Sequence, residues 1–234
     1  MQGKGGLAPN VLAFDTSLPQ ISAAVMWRDV LAEREEAMQR GQAERLMPLL
    51  EELLAEAGGS WRDLDLIAVG IGPGNFTGTR ISVAAARGLA LGLGIPAIGV
   101  SMFEALLDWD GPLYQPAEIL SLEAPRGRAF IQHFRYGNPQ SPPRLVDPAH
   151  PPADIELPVN MVVRGFRADE IARPFHAAFE VLGPSRVAAH MARIAEARWR
   201  EKGFDRSARP APLYVRPADA APPSDPPPMI LDDA

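Results

Sequence analysis

Gly70-Ile71-Gly72-Pro73-Gly74-Asn75-Phe76-Thr77-Gly78-Thr79 decides how the rest of the chain is read. Before it stands a compact apolar run, residues 64–69. After it stands a stretch, residues 80–93, that is apolar or small on nearly every side, interrupted only by Arg80, Ser82 and Arg87. The run predicts a buried parallel strand, and the stretch predicts a helix buried all round. Upstream, residues 11–14, 21–27 and 30–37 read as strands of an antiparallel meander. Residues 42–57 have helical periodicity, with Leu46, Leu50, Leu53 and Leu54 on one side. Met47 and Leu49 widen that apolar arc to roughly 160° at 100° per residue. Gly58-Gly59 ends the helix. Residues 97–100 form a further strand and 102–107 the start of a further helix. Strand, strand, strand, helix, strand, helix, strand is an α/β order that calls for a mixed sheet.

From about residue 109 proline becomes frequent and the periodic signal weakens. Residues 119–123, 129–135 and 159–164 read as strands of a second, smaller unit, and 186–202 as a helix with Val187, Met191, Ile194 and Ala195 on one face. The proline-rich stretch 218–234 reads as a disordered tail. The expected division is therefore 1–108, 109–217 and 218–234.

Composition narrows the function. The net charge of −6 disfavours a chain that grips nucleic acid alone. Cysteine is absent, which removes disulfides, thiolate metal sites and cysteine nucleophiles. Residues 1–10 lack the apolar centre of a signal peptide, and no apolar run approaches the roughly 18 residues of a membrane span. The expectation is a soluble, cytoplasmic protein that does not bind membrane.

The loop at 72–78 has two readings. Amides at a helix N-terminus attract anions, and glycine lets a phosphate approach the backbone. Neither a P-loop lysine nor the full dinucleotide fingerprint is present. The alternative is a tight turn that needs glycine for its geometry alone.

Residues 11–17 (Val-Leu-Ala-Phe-Asp-Thr-Ser), 70–81, Gly88-Leu89-Ala90 and 95–101 together resemble the bacterial TsaB (YeaZ) family, and the string Gly-Pro-Gly-x-Phe-Thr-Gly-x-Arg at 72–80 is specific to it. The resemblance is strong over 11–107. Beyond it, Leu122-Glu123-Ala124 with Arg128, and 212–216 (Pro-Leu-Tyr-Val-Arg), match in part. Gln42 stands where the family usually has histidine. The family implies the actin/Hsp70-like ATPase (ASKHA) fold, with two α/β lobes on mixed sheets, the second degenerate. It implies a non-catalytic dimerisation or scaffold subunit of the tRNA adenosine threonylcarbamoyltransferase complex. The implied partners are the catalytic paralogue TsaD, the ATPase TsaE and a second copy when alone, with tRNA reached through the complex. No cofactor of its own is implied, beyond ATP or ADP at a site shared with partners. On this resemblance Asp15, Thr16, Gly72, Gly74, Thr77 and Gly78 would be a remnant nucleotide loop.

Catalytic constellations are not apparent. Met102 and Leu106 stand where the paralogue carries a metal-binding His-x-x-x-His, with Glu104 between them. His133, His150, His176 and His190 have no metal-ligand spacing. The function is inferred instead from surplus apolar surface on the two N-terminal helices. Leu46, Leu50, Leu53, Ala84, Ala85 and Gly88 are the expected partner contacts, with the second lobe as the alternative cover. The competing reading is an independent enzyme, metallopeptidase-like or a sugar-kinase-like ATPase.

Overall fold

The computed structural model describes residues 8–27, 30–107, 117–154, 161–201 and 205–215. The tail expected over 218–234 lies outside them, as do the first residues of the strand expected from 159.

The first sheet has five strands in the order β3-β2-β1-β4-β5. The meander is β1 (Val11–Asp15), β2 (Gln20–Trp27) and β3 (Val30–Ala37). β4 (Leu66–Gly70) and β5 (Ala97–Val100) then join β1 in parallel, with Leu12 opposite Ile67 and Ile67 opposite Ala97. Every residue of β1 and β4 is buried, which is why both read as unbroken apolar runs. β3 is one of the two edge strands and alternates polar residues outward.

Helices cover both faces of this sheet. α1 (Gln42–Glu56) and α2 (Phe76–Leu93) lie on one side. There Leu12, Phe14, Ile21 and Val25 meet Leu46, Leu49, Leu50, Leu53 and Leu54. The opposite side, lined by Val11, Ala13, Ala24, Leu66 and Ala68, is packed by α3 (Met102–Leu106) and by the C-terminal helix α5 (Val187–Arg200). The leucine arc of α1 is thus consumed inside its own lobe. Arg45 holds the outer side of α1 to the edge strand, donating to Glu36 and Glu52, while Arg34 of β3 pairs with Glu52 and Glu56.

The second sheet has six strands in the order β11-β10-β6-β7-β8, with β9 also on β7. They are β6 (Glu118–Ala124), β7 (Arg128–Arg135), β8 (Asn138–Pro139), β9 (Arg144–Val146), β10 (Val162–Gly165) and β11 (Ala178–Val181). One face, with Ile119, Ile131 and Val163, packs on the short α4 (Ala168–Ala172). From the other, Leu120, Leu122, Phe130 and Phe134 join Met102, Phe103, Met191 and Ile194 in the cluster that also underlies the first sheet. α5 is therefore shared: it follows the second sheet in sequence and lies against the first in space. Among the described residues no helix is long and apolar enough to cross a membrane.

Two expectations change. α2 begins at Phe76, inside the glycine-rich stretch, because Asn75 caps it there. It is also not buried all round: Ala84, Arg87, Gly88, Leu91 and Gly92 are exposed. The apolar character of 80–93 comes from small residues, which bury little area and leave a helix face open.

Leu50 is fully buried on α1. Leu50→Ala is expected to lower stability by about 2–5 kcal/mol, read as a lowered urea midpoint at unchanged slope. An unchanged midpoint would mean that α1 is not packed on the sheet as described.

Candidate functional site

The glycine-rich loop closes on the β1–β2 turn. A Cβ at Gly78 would lie 1.9 Å from the carbonyl oxygen of Thr16, and one at Gly74 would lie 2.6 Å from that of Ser17. Both are backbone contacts that no side-chain movement relieves. Thr16 Oγ1 donates to the Gly78 carbonyl at 2.7 Å, and the Asn75 amide donates to the Ser17 carbonyl at 2.7 Å. The first amides of α2 are taken up as well. Asn75 Oδ1 accepts from the amides of Thr77 (2.9 Å) and Gly78 (3.0 Å), and the Asn75 carbonyl accepts from that of Thr79 (2.9 Å). The same turn is held from α1, where the Gln42 side chain donates to the carbonyls of Leu18 (2.8 Å) and Gln20 (2.9 Å).

Asp15 ends β1 behind this turn. Its Oδ1 accepts from the Ser17 amide (2.8 Å) and hydroxyl (2.9 Å). Its Oδ2 is buried against Gly70, with no hydrogen-bond partner among the described residues. Burial pushes the carboxyl up from its ordinary 3.8 to about 6, only partly offset by the Ser17 hydrogen bonds. The structure thus brings Asp15, Thr16, Gly72, Gly74 and Gly78 together, with Thr77 on the exposed side. Every close approach in the loop is made by the chain itself, and the amides of Thr77, Gly78 and Thr79 are spent. The turn reading of the glycines accounts for their positions.

Outside this lock lies an open helix face. Phe76, Arg80, Ala84, Gly88 and Leu91 follow one another at helical spacing along α2, all exposed. Leu91 is 80% and Phe76 48% exposed. A Cβ at Gly88 or Gly92 would meet nothing within 4 Å. Arg80 lies over the Phe76 ring, 3.7 Å from its centroid, and its Nε donates to the Tyr214 hydroxyl at 3.0 Å. Beside this face, α1 presents Met47, Pro48, Glu44 and Glu51.

Of the expected partner contacts, only Ala84 and Gly88 lie on that open face. Leu46, Leu50 and Leu53 are buried beneath the first sheet, and Ala85 is half-buried against the same cluster. An apolar helical arc fits an own-lobe sheet as well as a foreign helix, and here the sheet takes it. Phe76, Arg80 and Leu91 are absent from the expected set, although Phe76 and Arg80 lie eight and four residues before Ala84 and Leu91 lies three after Gly88, which places them on the same stripe. Tyr214 arrives from a distant part of the chain that periodicity does not reach.

The residues bearing on catalysis have other places. Met102 and Leu106 are core residues. Glu104 forms a capping box with Ser101 and an ion pair with Arg198 of α5. His150 sits against Asp147, and His190 Nδ1 lies 2.9 Å from the Ala105 carbonyl. Among the described residues, no group of three His, Cys, Asp or Glu side chains is arranged to hold a metal.

Two lobes of mixed α/β sheet with a shared helix layer define a protein of the actin/Hsp70-like ATPase fold. A solved structure from Pseudomonas aeruginosa, described as having similarity to peptidase YeaZ, covers 89% of this chain and is itself covered completely, at TM-score 0.68 and 22% identity. Another, YeaZ of the same organism, gives TM-score 0.63 at 23% identity, over 82% of this chain and 93% of that one. An uncharacterized protein of Mycobacterium tuberculosis is 34% identical over 216 residues, 91% of this chain and 94% of that one. The tRNA threonylcarbamoyladenosine biosynthesis protein TsaB of Haemophilus influenzae is 34% identical over 111 residues, and that of Escherichia coli 40% identical over 92. These two matches span 47% and 39% of the curated TsaB chains. The family model for TsaD, tRNA N6-adenosine threonylcarbamoyltransferase, matches residues 30–138. The chain belongs to the TsaB (YeaZ) family.

The lock and the open face respond oppositely to the same substitution. Gly78→Ala is expected to destabilise by roughly 3 kcal/mol or more, since its methyl group would strike backbone. Gly88→Ala is expected to stabilise by up to about 1 kcal/mol through helix propensity. Thermal midpoints of the two variants measure this, and equal shifts would contradict the packing described.

Asp15 adds a pH dependence of known sign. Its folded pKa of about 6 exceeds its ordinary 3.8, so the folded chain holds the extra proton between those values. The contribution of Asp15 to stability therefore falls as pH rises from about 4 to about 6 and is level above, by about 3 kcal/mol in all. Asp15→Asn is expected to remove this slope and to be the more stable chain at pH 7. Parallel pH–stability curves for both proteins would show that Asp15 is not buried as described.

Proposed function

We propose that this chain is a non-catalytic, partner-binding subunit in tRNA threonylcarbamoyladenosine biosynthesis. Its partner is the catalytic paralogue TsaD, with TsaE joining the assembly, a second copy serving when the chain is alone, and tRNA engaged through the complex. Any ATP or ADP is held at a site shared with these partners. Similarity to TsaB proteins supports the process, and the match to the TsaD family supports the paralogue. The observation behind the subunit reading is the open stripe of α2.

That stripe has the character of a helix-pairing surface. Small residues at Ala84 and Gly88 allow a partner helix to come close, while Phe76 and Leu91 offer apolar area at the two ends. Charge adds direction. α2 carries Arg80 and Arg87 and no acidic residue, whereas the neighbouring edge of α1 presents Glu44 and Glu51. A partner built on the same plan can set its acidic edge against this basic one, which favours a paralogue or a second copy over an unrelated surface.

Ala84 is exposed, so a larger side chain there leaves the fold intact. Ala84→Glu is expected to weaken pairing with TsaD at least about tenfold while leaving the thermal midpoint within a few degrees. Co-purification, and reconstituted tRNA modification with and without the chain, measure the effect. Pairing and modification at wild-type levels, or turnover of substrate by the lone chain, would overturn the proposal.

A further inference from the structure

The segment 205–215 returns to the first lobe after α5 and reaches the N-terminal end of the open face. Pro210 is buried, and a Cβ at Gly99 of β5 would lie 3.3 Å from the Pro210 Cβ. The Leu213 amide donates to the Ile71 carbonyl at 2.8 Å, at the entrance to the glycine-rich loop. One residue on, the Tyr214 hydroxyl accepts from Arg80 Nε at 3.0 Å, and its ring lies 5.5 Å from that of Phe76, tilted by 37°. Arg80 is thus held between two aromatic rings, over Phe76 and edged by Tyr214. This clasp is half-exposed, with Tyr214 at 49%. It stands at the N-terminal end of the stripe formed by Ala84, Gly88 and Leu91.

We infer that residues 208–215 are a strap that completes the docking face, with Tyr214 as a positioning residue that fixes Phe76 and Arg80 for the partner. The inference rests on the docking reading given above and adds a component remote in sequence. An arginine on a four-bond stem is costly to order on binding, and stacking on Phe76 together with the bond to the Tyr214 hydroxyl removes that freedom beforehand. Tyr214 ties the strap to α2 through Arg80 and Phe76, which couples the seating of the strap to the orientation of Arg80. The fitting partner is a helix with an apolar, small-residue edge and an acidic side chain opposite Arg80, a requirement that a paralogous chain with an acidic helix flank meets. Binding such a helix would clamp the strap, and a seated strap would favour binding, as reciprocal linkage requires.

The test uses the full chain with purified TsaD-type paralogue. Dissociation constants come from calorimetry and the exchange rate of the Leu213 amide from hydrogen exchange, with folding checked by circular dichroism. Tyr214→Ala is expected to weaken binding about tenfold and to speed Leu213 exchange in the free chain by a similar factor. Tyr214→Phe, which keeps the ring and loses the acceptor, is expected to fall between it and wild type. Saturating paralogue is expected to slow Leu213 exchange in the wild-type chain. If both Tyr214 variants bind within about twofold of wild type and Leu213 exchange ignores the partner, the strap inference is overturned. Ala84→Glu separates the two ideas: loss of binding in that variant alone leaves the docking face standing without the strap. Wild-type binding by Ala84→Glu and both Tyr214 variants, or no binding by the wild-type chain, overturns both.

Discussion

The contact between the Thr16 carbonyl and the Cα of Gly78 fixes the geometry of everything around it. No residue with a side chain fits at 78, because its Cβ would sit inside the carbonyl oxygen. This contact draws the start of α2 onto the β1–β2 turn, spends helix amides on Asn75, and sets which face of α2 looks inward. Thr79, Ser82, Val83 and Ala86 are then committed to the sheet. Ala84, Gly88 and Leu91 are left outside by the same rotation. The close packing of this loop thus aims a helix.

Much of the first lobe was legible in the sequence. The meander, α1, β4 and β5 follow from apolar period and from glycine and proline punctuation, and the buried parallel strand at β4 follows from its unbroken apolar run. What sequence reasoning missed has specific causes. Asn75 was read as part of a loop, so four helical residues were lost from α2. β8, β9, β11 and α4 are two to five residues long and lie in proline-rich sequence, below the length at which periodicity speaks. The packing of α5 on the first sheet is a long-range fact with no local sign in residues 187–200.

The site was half legible, and the division is instructive. Six residues singled out for ligand contact around 15–17 and 72–78 are indeed neighbours, apart from the outward-facing Thr77, yet mutual packing explains their proximity. The wide apolar arc of α1 was read as surplus, whereas the sheet covers Leu46, Leu50 and Leu53 completely. Surplus surface lies on α2, where small residues disguise an exposed face as an interior one. Burial of small side chains contributes little hydrophobic energy, so such a face remains soluble in a lone chain and still admits a close-packed helix. The relatives named TsaB and the match to the TsaD family give the proposed pairing of this face its context.

A partner seated on the outer stripe of α2, as proposed, would shield Phe76 and Leu91 from solvent. Hydroxyl-radical footprinting of the chain, alone and with saturating paralogue, reads it side chain by side chain. Oxidation at Leu91 and Phe76, both exposed in the lone chain, is expected to drop several-fold in the complex, while that of Phe179 of β11, exposed on the second sheet, stays unchanged. Oxidation of Leu91 and Phe76 at the same rate in a demonstrated complex would contradict it.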